Sequence, residues 1–463
     1  MGKAASLFFS SDTGKETLHR RVRPSDDQIT AQQERWRHLA EFLRDELSGT
    51  SGLIITWWLQ GSYKFGTQVR PCQVGQEMDI DLGIYFNWKG AAADGEFSPK
   101  ELKAMAQQAA IKYAECQDNE VSGVDDPPKQ KCNRLHFDDA FHIDVPVYHL
   151  DLDDDERRLT NEDDEWEESD PKAIYLSFKN RFDDSKRDKV RRLVRYLKIW
   201  AQLKISDEHR LSSVALTILV ANASAKSGFS DCTGDDERFS HVVGLVAEKL
   251  ERSFSIPNPA NQNENLNRLS NDSANRFLDK VRELESVCDR ALQAATHIDA
   301  SEIWEEAFEH FFPRPDEKEL AKDSALYESG LPVPIEFEPD IIVEAKPQGG
   351  GNSINGRNAI YALLKDYDVT FTLVNANDLP MGSNLQWTVR NEGSDAESVH
   401  DLGHFAGTDT VAKEHTAYYG RHFMDLRVTL NGRTIGRKRI PISVTGSKFT
   451  RRQKRQFWKR YKR

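Results

Sequence analysis

Apolar and polar residues alternate along residues 78–86, where Met78, Ile80, Leu82, Ile84 and Phe86 are separated by Asp79, Asp81, Gly83 and Tyr85. A period of two predicts a strand with one buried face, and it puts Asp79 and Asp81 on the same side. The apolar run at 53–59 precedes it and leads into Gly61-Ser62, which reads as a strand-to-helix turn opening a short polar segment that closes at Gly66-Thr67. Upstream, Trp36, Leu39, Ala40, Leu43 and Leu47 recur at helical spacing within 28–47, a helix that would pack on the sheet. Downstream, residues 99–117 read as a second helix and 132–150 return to strand alternation. There Phe141, Ile143, Val145 and Val147 take one face, with His142, Asp144 and Tyr148 on the other.

Beyond an acid-rich block at 151–170, read as a solvated loop, the period becomes helical. Val190, Leu193, Val194, Leu197, Trp200 and Ala201 form one stripe of an amphipathic helix over 186–204, and Lys198 falls at its edge, about a quarter turn from the centre. Ser212 and Ser213 stand at the capping position of the next helix. Residues 235–312 stay helical apart from an Asn-rich interruption at 258–271, and close on Trp304, Phe308, Phe311 and Phe312. Residues 314–365, with Pro332, Pro334, Pro339, Pro347 and Gly349-Gly350-Gly351, read as linker. Strands follow at 367–374, 385–389, 422–430 and 433–444, the last two joined by the hairpin dipeptide Asn431-Gly432, so a small β-sandwich is expected. The pattern predicts an α/β domain with a helical lobe at 1–313, the linker at 314–365, the sandwich at 366–447 and a tail at 448–463.

The length of 463 residues suits two domains, and 38% hydrophobic with 30% charged residues suits a globular chain. The best candidate for a membrane span, 211–223, is interrupted by serines, and the N-terminal residues are polar without a signal-peptide core, so a cytoplasmic location is expected with no membrane partner. Cys72, Cys116, Cys132, Cys232 and Cys288 show no paired or metal-type spacing and read as free thiols. Net charge is −12, yet nine of the last sixteen residues are Lys or Arg and none is acidic. An acidic body argues against a general nucleic-acid coat protein. The tail, which interleaves its bases with Phe457, Trp458 and Tyr461, could bind nucleic acid, the acidic body or a partner.

Two carboxylates on adjacent same-side positions of a strand repel, and a hard divalent cation with oxygen ligands relieves them. Gly61-Ser62 offers backbone N–H groups and a hydroxyl to a phosphate. Asp144, alone in the middle of an apolar strand, is either a solvated edge residue, as Pro146 would allow, or a third metal ligand. Beside Asp79 and Asp81 the second reading is preferred.

The order of these features resembles the active-site signature of polymerase-β-like nucleotidyltransferases, in which Gly-Ser grips the triphosphate and the acids hold metal. Lys198 and the helix-opening Ser213, with Ser212 as the alternative register, resemble the pair that holds the triphosphate from the helical lobe in cyclic GMP-AMP synthase, oligoadenylate synthase and their bacterial relatives. Trp166-x-x-Ser-Asp-Pro also recurs in those bacterial relatives. The string from Trp387 to Gly393, then Asp401-Leu-Gly403, Glu414 to His422 and Asn431-Gly432, resembles the C-terminal sensor domain attached to some bacterial cyclic-oligonucleotide synthases, departing from it at Gly403 and His404. As a whole the chain is similar to bacterial cGAS/DncV-like nucleotidyltransferases. The resemblance implies synthesis of a cyclic di- or trinucleotide from ATP and GTP in CBASS-type antiphage signalling. It also implies two Mg2+ ions, with Mn2+ an alternative, at Asp79, Asp81 and Asp144, and a downstream effector reached through the cyclic product. Gly61, Ser62, Lys198, Ser212 and Ser213 would bind nucleotide. Arg390 and His422, expected on polar faces, are candidates for a regulatory ligand or protein, whereas Trp387 is read as sandwich core. The rival readings are linear nucleotide transfer to RNA or protein, and a nucleotide-sensing module.

Overall fold

The computed structural model describes residues 2–73, 75–138, 141–315, 319, 322 and 337–445. The tail at 448–463 and most of 316–336 therefore lie outside the described residues. The chain divides into two compact units, one of residues 1–295 and 299–307, the other of residues 296–298 and 308–463.

In the first unit, short helices α1 (Ala5–Phe8) and α2 (Leu18–Val22) precede the long α3 (Asp26–Ser51). Ser25 and Gln28 form a capping box that starts α3, and Gly52, in the left-handed region at φ 72°, ends it. Strand β1 (Ile54–Gln60) runs into α4 (Gly61–Phe65), and β2 (Met78–Trp88) follows. After α5 (Pro99–Ala114) come β3 (Val121–Val124), β4 (Asn133–Phe137), β5 (Phe141–Val145), β6 (Val147–Asp151), β7 (Arg157–Thr160) and β8 (Trp166–Glu168). They form one sheet in the order β3-β4-β5-β2-β6-β7-β8, with β1 antiparallel to β2.

Strand β2 organises this sheet because Asp81 pairs with Gln60 of β1 and with Asp144 of β5. A strand has two edges, so β1 takes one, and β5 and β6 share the other, both parallel to β2. Pro146 breaks β5 from β6 without losing the ladder, since its carbonyl accepts from the Ile84 N–H. Asp144 thus lies on an interior strand between β4 and β2, not on an edge. One face of the sheet carries Met78, Ile80, Leu82, Ile84 and Phe86 into a core closed by Trp36, Leu39, Leu43 and Leu47 of α3 and Leu102, Ala106 and Tyr113 of α5. The expected burial of that alternating set is met, and the opposite face keeps the two aspartates.

The acid-rich block read as solvated loop instead supplies β7 and β8. Arg157 is buried there, bonded to the Asp155 carbonyl and paired with Asp170, while Asp153, Asp154, Glu156, Asp163, Asp164, Glu165 and Glu168 are exposed as the solvated reading expected. The helical lobe comprises α6 (Pro171–Arg181), α7 (Asp184–Lys204), α8 (Ser213–Ser224), α9 (Asp235–Arg252) and α10 (Asn271–Leu292), and helix α11 (His297–Phe308) follows. Asp183 caps α7, and the apolar stripe from Val190 to Ala201 is buried as its spacing requires.

The second unit stacks two sheets around one core. Strands β9 (Ile341–Pro347), β10 (Ile354–Arg357), β12 (Tyr367–Leu373) and β15 (Val411–His415) form one in the order β10-β9-β12-β15. The other, in the order β11-β17-β16-β13-β14, uses β11 (Ile360–Leu363), β13 (Asn384–Asn391), β14 (Gly403–Gly407), β16 (Gly420–Leu430) and β17 (Arg433–Val444). Three of these strands come from the segment read as linker. Its prolines and glycines suggested flexibility, but Ile341, Val343 and Ala345 alternate with exposed partners and bury on Val369, Phe371 and Trp387. Trp387 is fully buried, its indole N–H donating to the Asp409 carbonyl at 2.7 Å. The Asn431-Gly432 turn has φ of 50° and 77°, the two positive values that a two-residue hairpin demands.

Candidate active site

Glycine at 61 is required by contact as well as by conformation. Its φ is 57°, and a Cβ there would fall 1.8 Å from Asp81 Oδ2. The turn from β1 into α4 therefore presses its backbone onto the carboxylate of the neighbouring strand, and Ser62 follows directly. Gly66 ends α4 at φ 66°. Helix α7 grips this loop: Arg191 donates to the Phe65 carbonyl at 2.9 Å, and Arg195 to the Gly66 and Gln68 carbonyls at 2.6 and 3.2 Å.

A cavity of about 350 Å³ results, lined by Gly61, Ser62, Thr67, Asp79, Asp81, Lys198, Ser212 and Ser213. Every residue anticipated for catalysis or nucleotide contact in this unit except Asp144 borders it. A second cavity of about 840 Å³ shares Ser62, Asp79, Lys198 and Ser213 and extends past Arg134, His136, His142 and Arg210. The two together have the size of a site for nucleotide-sized ligands.

Asp144 sits beside Asp81 in register, and Asp79 beside His142. One carboxylate oxygen of Asp79, one of Asp144 and a ring nitrogen of His142 lie within 4.8 Å of one another. Arg134 of β4, opposite Asp144 across the ladder, holds that carboxylate at two points, one of them at 2.7 Å. Asp81 is partly exposed to the cavity. Burial, then the Asp79 and Asp144 carboxylates, push its carboxyl well above the usual range, while Arg134 and Lys198 pull the other way. His142 Nε2 lies 3.0 Å from Asp79 Oδ1, yet both atoms are buried and neither makes an aligned hydrogen bond. Oxygen donors that repel, one of them unsatisfied, fit a hard divalent cation. The residues present thus suit the metal that the sequence pattern implies.

Lys198 is buried, not snorkelling, and its Nζ reaches the Thr67 carbonyl and hydroxyl at 3.3 and 3.2 Å. Burial, then Arg195, lowers it to about 7 against the attraction of Asp81 and Asp79. Ser212 is the N-cap of α8, its hydroxyl accepting from the Ala215 N–H at 3.4 Å. Ser213, the first helical residue, is left facing the cavity without that duty.

Several residues escaped the reading of the sequence. Gln60 bridges Tyr85 and Tyr148 at 2.9 and 3.1 Å beneath Gly83, and those two rings stack at 4.9 Å. Arg134 and His136 alternate in β4 as Asp79 and Asp81 do in β2, a period-two signal that could have been seen. Arg191 and Arg195 carried no such signal, since lysines and arginines crowd that helix.

In the second unit the expected ligand candidates are placed otherwise. Arg390 is buried, donating to Asp425 Oδ2 at 2.9 Å and to the carbonyls of His310 and Phe312 at 2.7 and 2.6 Å. It anchors the fold instead of presenting a polar face. His422 is also buried, its Nε2 3.0 Å from the Tyr418 carbonyl, beside a cavity of only about 60 Å³ that it shares with Asp401, His404 and Glu414. A space of that size holds water, not a nucleotide.

Comparison with known proteins follows the same division. Residues 55–148 match the family described as cyclic GMP-AMP synthase DncV-like, nucleotidyltransferase domain, and residues 322–445 match the adenylyl/guanylyl and SMODS C-terminal sensor domain. A cyclic GMP-AMP synthase of Escherichia albertii is 30% identical over 463 residues, covering 98% of this chain and 99% of the relative. A c-di-GMP synthase of Roseivirga ehrenbergii is 24% identical over 49% of this chain and 64% of its own length. The Vibrio cholerae DncV cyclic AMP-GMP synthase shares the fold with a TM-score of 0.56 at 18% identity, over 68% of this chain and 98% of that one. The same synthase in complex with the linear intermediate 5′ pppA(3′,5′)pG gives 0.54 at 18% identity, over 64% and 94%.

Proposed function

The chain belongs to the family of DncV-like cyclic GMP-AMP synthases, and from that premise we propose that it joins ATP and GTP, or other nucleoside triphosphates, into a cyclic di- or trinucleotide second messenger. It is a nucleotidyltransferase, so each bond formed to an α-phosphate releases pyrophosphate. The observation that supports the reading is that one cavity is bordered by Gly61, Ser62, Asp79, Asp81, Lys198 and Ser213, residues suited to donate hydrogen bonds to phosphate or to hold a metal.

Asp79, Asp81 and Asp144 would hold two divalent cations, Mg2+ or Mn2+. When bound, such ions neutralise charge on the transferring phosphoryl group and favour the ionised ribose hydroxyl. The remaining work falls to the chain itself. Backbone N–H groups at Gly61 and Ser62, with the Ser62 and Ser213 hydroxyls, orient the β- and γ-phosphates. Lys198, held near neutrality in the free enzyme, becomes a full cation once a triphosphate enters, because the added negative charge favours its proton. Arg134 holds both oxygens of Asp144 and so fixes the orientation of that carboxylate, each oxygen keeping a further lone pair for a metal or a ribose proton. The arrangement supports a donor and an acceptor nucleotide meeting across the two joined cavities.

We assign the product to antiphage signalling of the CBASS type, acting on a downstream effector, with the second unit as a regulatory module. Incubation with labelled ATP and GTP, phosphatase digestion and mass spectrometry of the survivor tests the reaction. A cyclic product has no terminal phosphate to lose. A product trimmed by phosphatase to a linear oligonucleotide without terminal phosphates, or label transferred to RNA or protein, would replace this reading with linear transfer.

A further inference from the structure

Next to the aspartates, strand register assembles a second set of donors of different chemistry. His136 of β4 pairs with His142 of β5, and His142 pairs with Asp79 of β2. Glu77, one residue before β2, reaches into the same row. Its Oε2 lies 2.7 Å from His136 Nδ1 and 3.0 Å from His142 Nδ1, and each of the three residues offers a ligand atom within 4.8 Å of the other two. Two imidazole nitrogens and one carboxylate oxygen are the protein ligands of an open tetrahedral zinc site. Bonds of about 2.0–2.1 Å to such an ion put ligand atoms about 3.3 Å apart, so the two Glu77 contacts need to open by about 0.6 and 0.3 Å.

The outer nitrogens complete the pattern. His136 Nε2 is 2.9 Å from Asp125 Oδ1, and His142 Nε2 is 3.0 Å from Asp79 Oδ1. Histidines that ligate metal direct their other N–H to a carboxylate, which fixes ring and tautomer; His136 does so toward Asp125, and His142 Nε2 has Asp79 within reach, though not aligned with it. Glu77 and both histidines border the cavity of about 840 Å³, which gives an ion a route in and room for a water as fourth ligand.

We infer that Glu77, His136 and His142 bind a transition-metal dication of the zinc class, separate from the all-oxygen set at Asp79, Asp81 and Asp144. Occupancy makes His142 donate from Nε2 to Asp79, so the second ion positions an acid of the first site. His142 is a positioning residue in this scheme.

Isothermal titration of the full chain with Zn2+, in excess Mg2+ to fill the oxygen site, tests the inference. One zinc equivalent is expected. His136→Ala and Glu77→Gln should each weaken it about 100-fold or more, Asp125→Asn about 10-fold, and Asp81→Asn should leave it in place. Titration with Co2+ should give visible absorption of a four-coordinate site that disappears in the same two ligand variants. Circular dichroism checks folding, and Glu77→Gln decides if His136→Ala fails to fold. No zinc bound in the presence of Mg2+, zinc that survives both ligand variants, or zinc lost with Asp81→Asn would each overturn the assignment.

Discussion

Asp81 and Asp425 are both enclosed carboxylates on long central strands, one in each unit, and their surroundings are opposite. Around Asp81 stand two further acids, with Arg134 committed to Asp144 and Lys198 bonded to Thr67. Around Asp425 stand Arg390 at 2.9 Å, Arg439 at 2.7 Å to each oxygen and Arg314 at 3.5 Å. Burial alone would raise the Asp425 carboxyl, yet Arg314, Arg439 and Arg390 hold it below the usual carboxylate range. Negative charge is left over at one place and fully answered at the other. Surplus charge of one sign in a cavity invites a ligand of the other sign, whereas a saturated ion pair locks a fold.

The largest expected effect strikes the unsaturated centre. Asp79→Asn with Asp81→Asn should cut product formation by about 1000-fold or more, the scale of losing a principal electrostatic element, while the melting temperature holds or rises because a repulsion is gone. A double variant that kept its activity in the labelled-nucleotide assay would end the contrast.

At the saturated centre the outcome reverses. Asp425→Asn strands three guanidinium groups and should cost about 3–5 kcal/mol of stability, the penalty of breaking a buried pair, read by urea unfolding. Loss of less than that would mean Asp425 is no more structural than a surface acid.

Lys198→Met should raise the nucleotide KM about 10- to 100-fold, the worth of a charge-assisted contact, with little change in melting temperature. If kcat fell instead and KM held, Lys198 would act on the transition state rather than on binding.

Acidity separates the two centres by sign. The Asp425 carboxyl titrates lower in the folded than in the unfolded chain, so its stabilisation is present above about pH 4 and is lost as pH falls through the folded value. Asp81 titrates higher when folded, so without metal its contribution is most favourable below about pH 4 and declines as pH rises through the folded value. Asp81→Asn should therefore gain stability over the parent at neutral pH and match it in acid, whereas the deficit of Asp425→Asn should shrink in acid. Urea midpoints across the pH range read both. The smallest effect divides the two serines: Ser212→Ala should cost about 1 kcal/mol through loss of a cap, while Ser213→Ala should leave stability alone and raise the nucleotide KM.

Much of the site was legible because it is written in short-range period. Alternation in 78–86 fixed which face Asp79 and Asp81 share, and Gly61-Ser62 marked the turn that meets them. Lys198 and Ser213 came from resemblance, and the fold brought them to the same cavity. The misreadings share a cause. Residues 341–363 look like linker because proline and glycine dominate the eye, yet their apolar alternation finds a partner sheet. Arg390 looks like a ligand because a sequence does not show Asp425, thirty-five positions away, on the paired strand.

By itself, then, the chain determined which side chains share a face, where helices begin and end, and that acids and a Gly-Ser turn occur in the order of a phosphoryl-transfer site. These are local matters, governed by backbone geometry within a few residues. Tertiary structure decided which charges are answered. Ion pairing joins residues from separate strands, and its strength depends on distances and burial that only the assembled sheets create. That is why Asp81 is left open to a ligand and Asp425 is not.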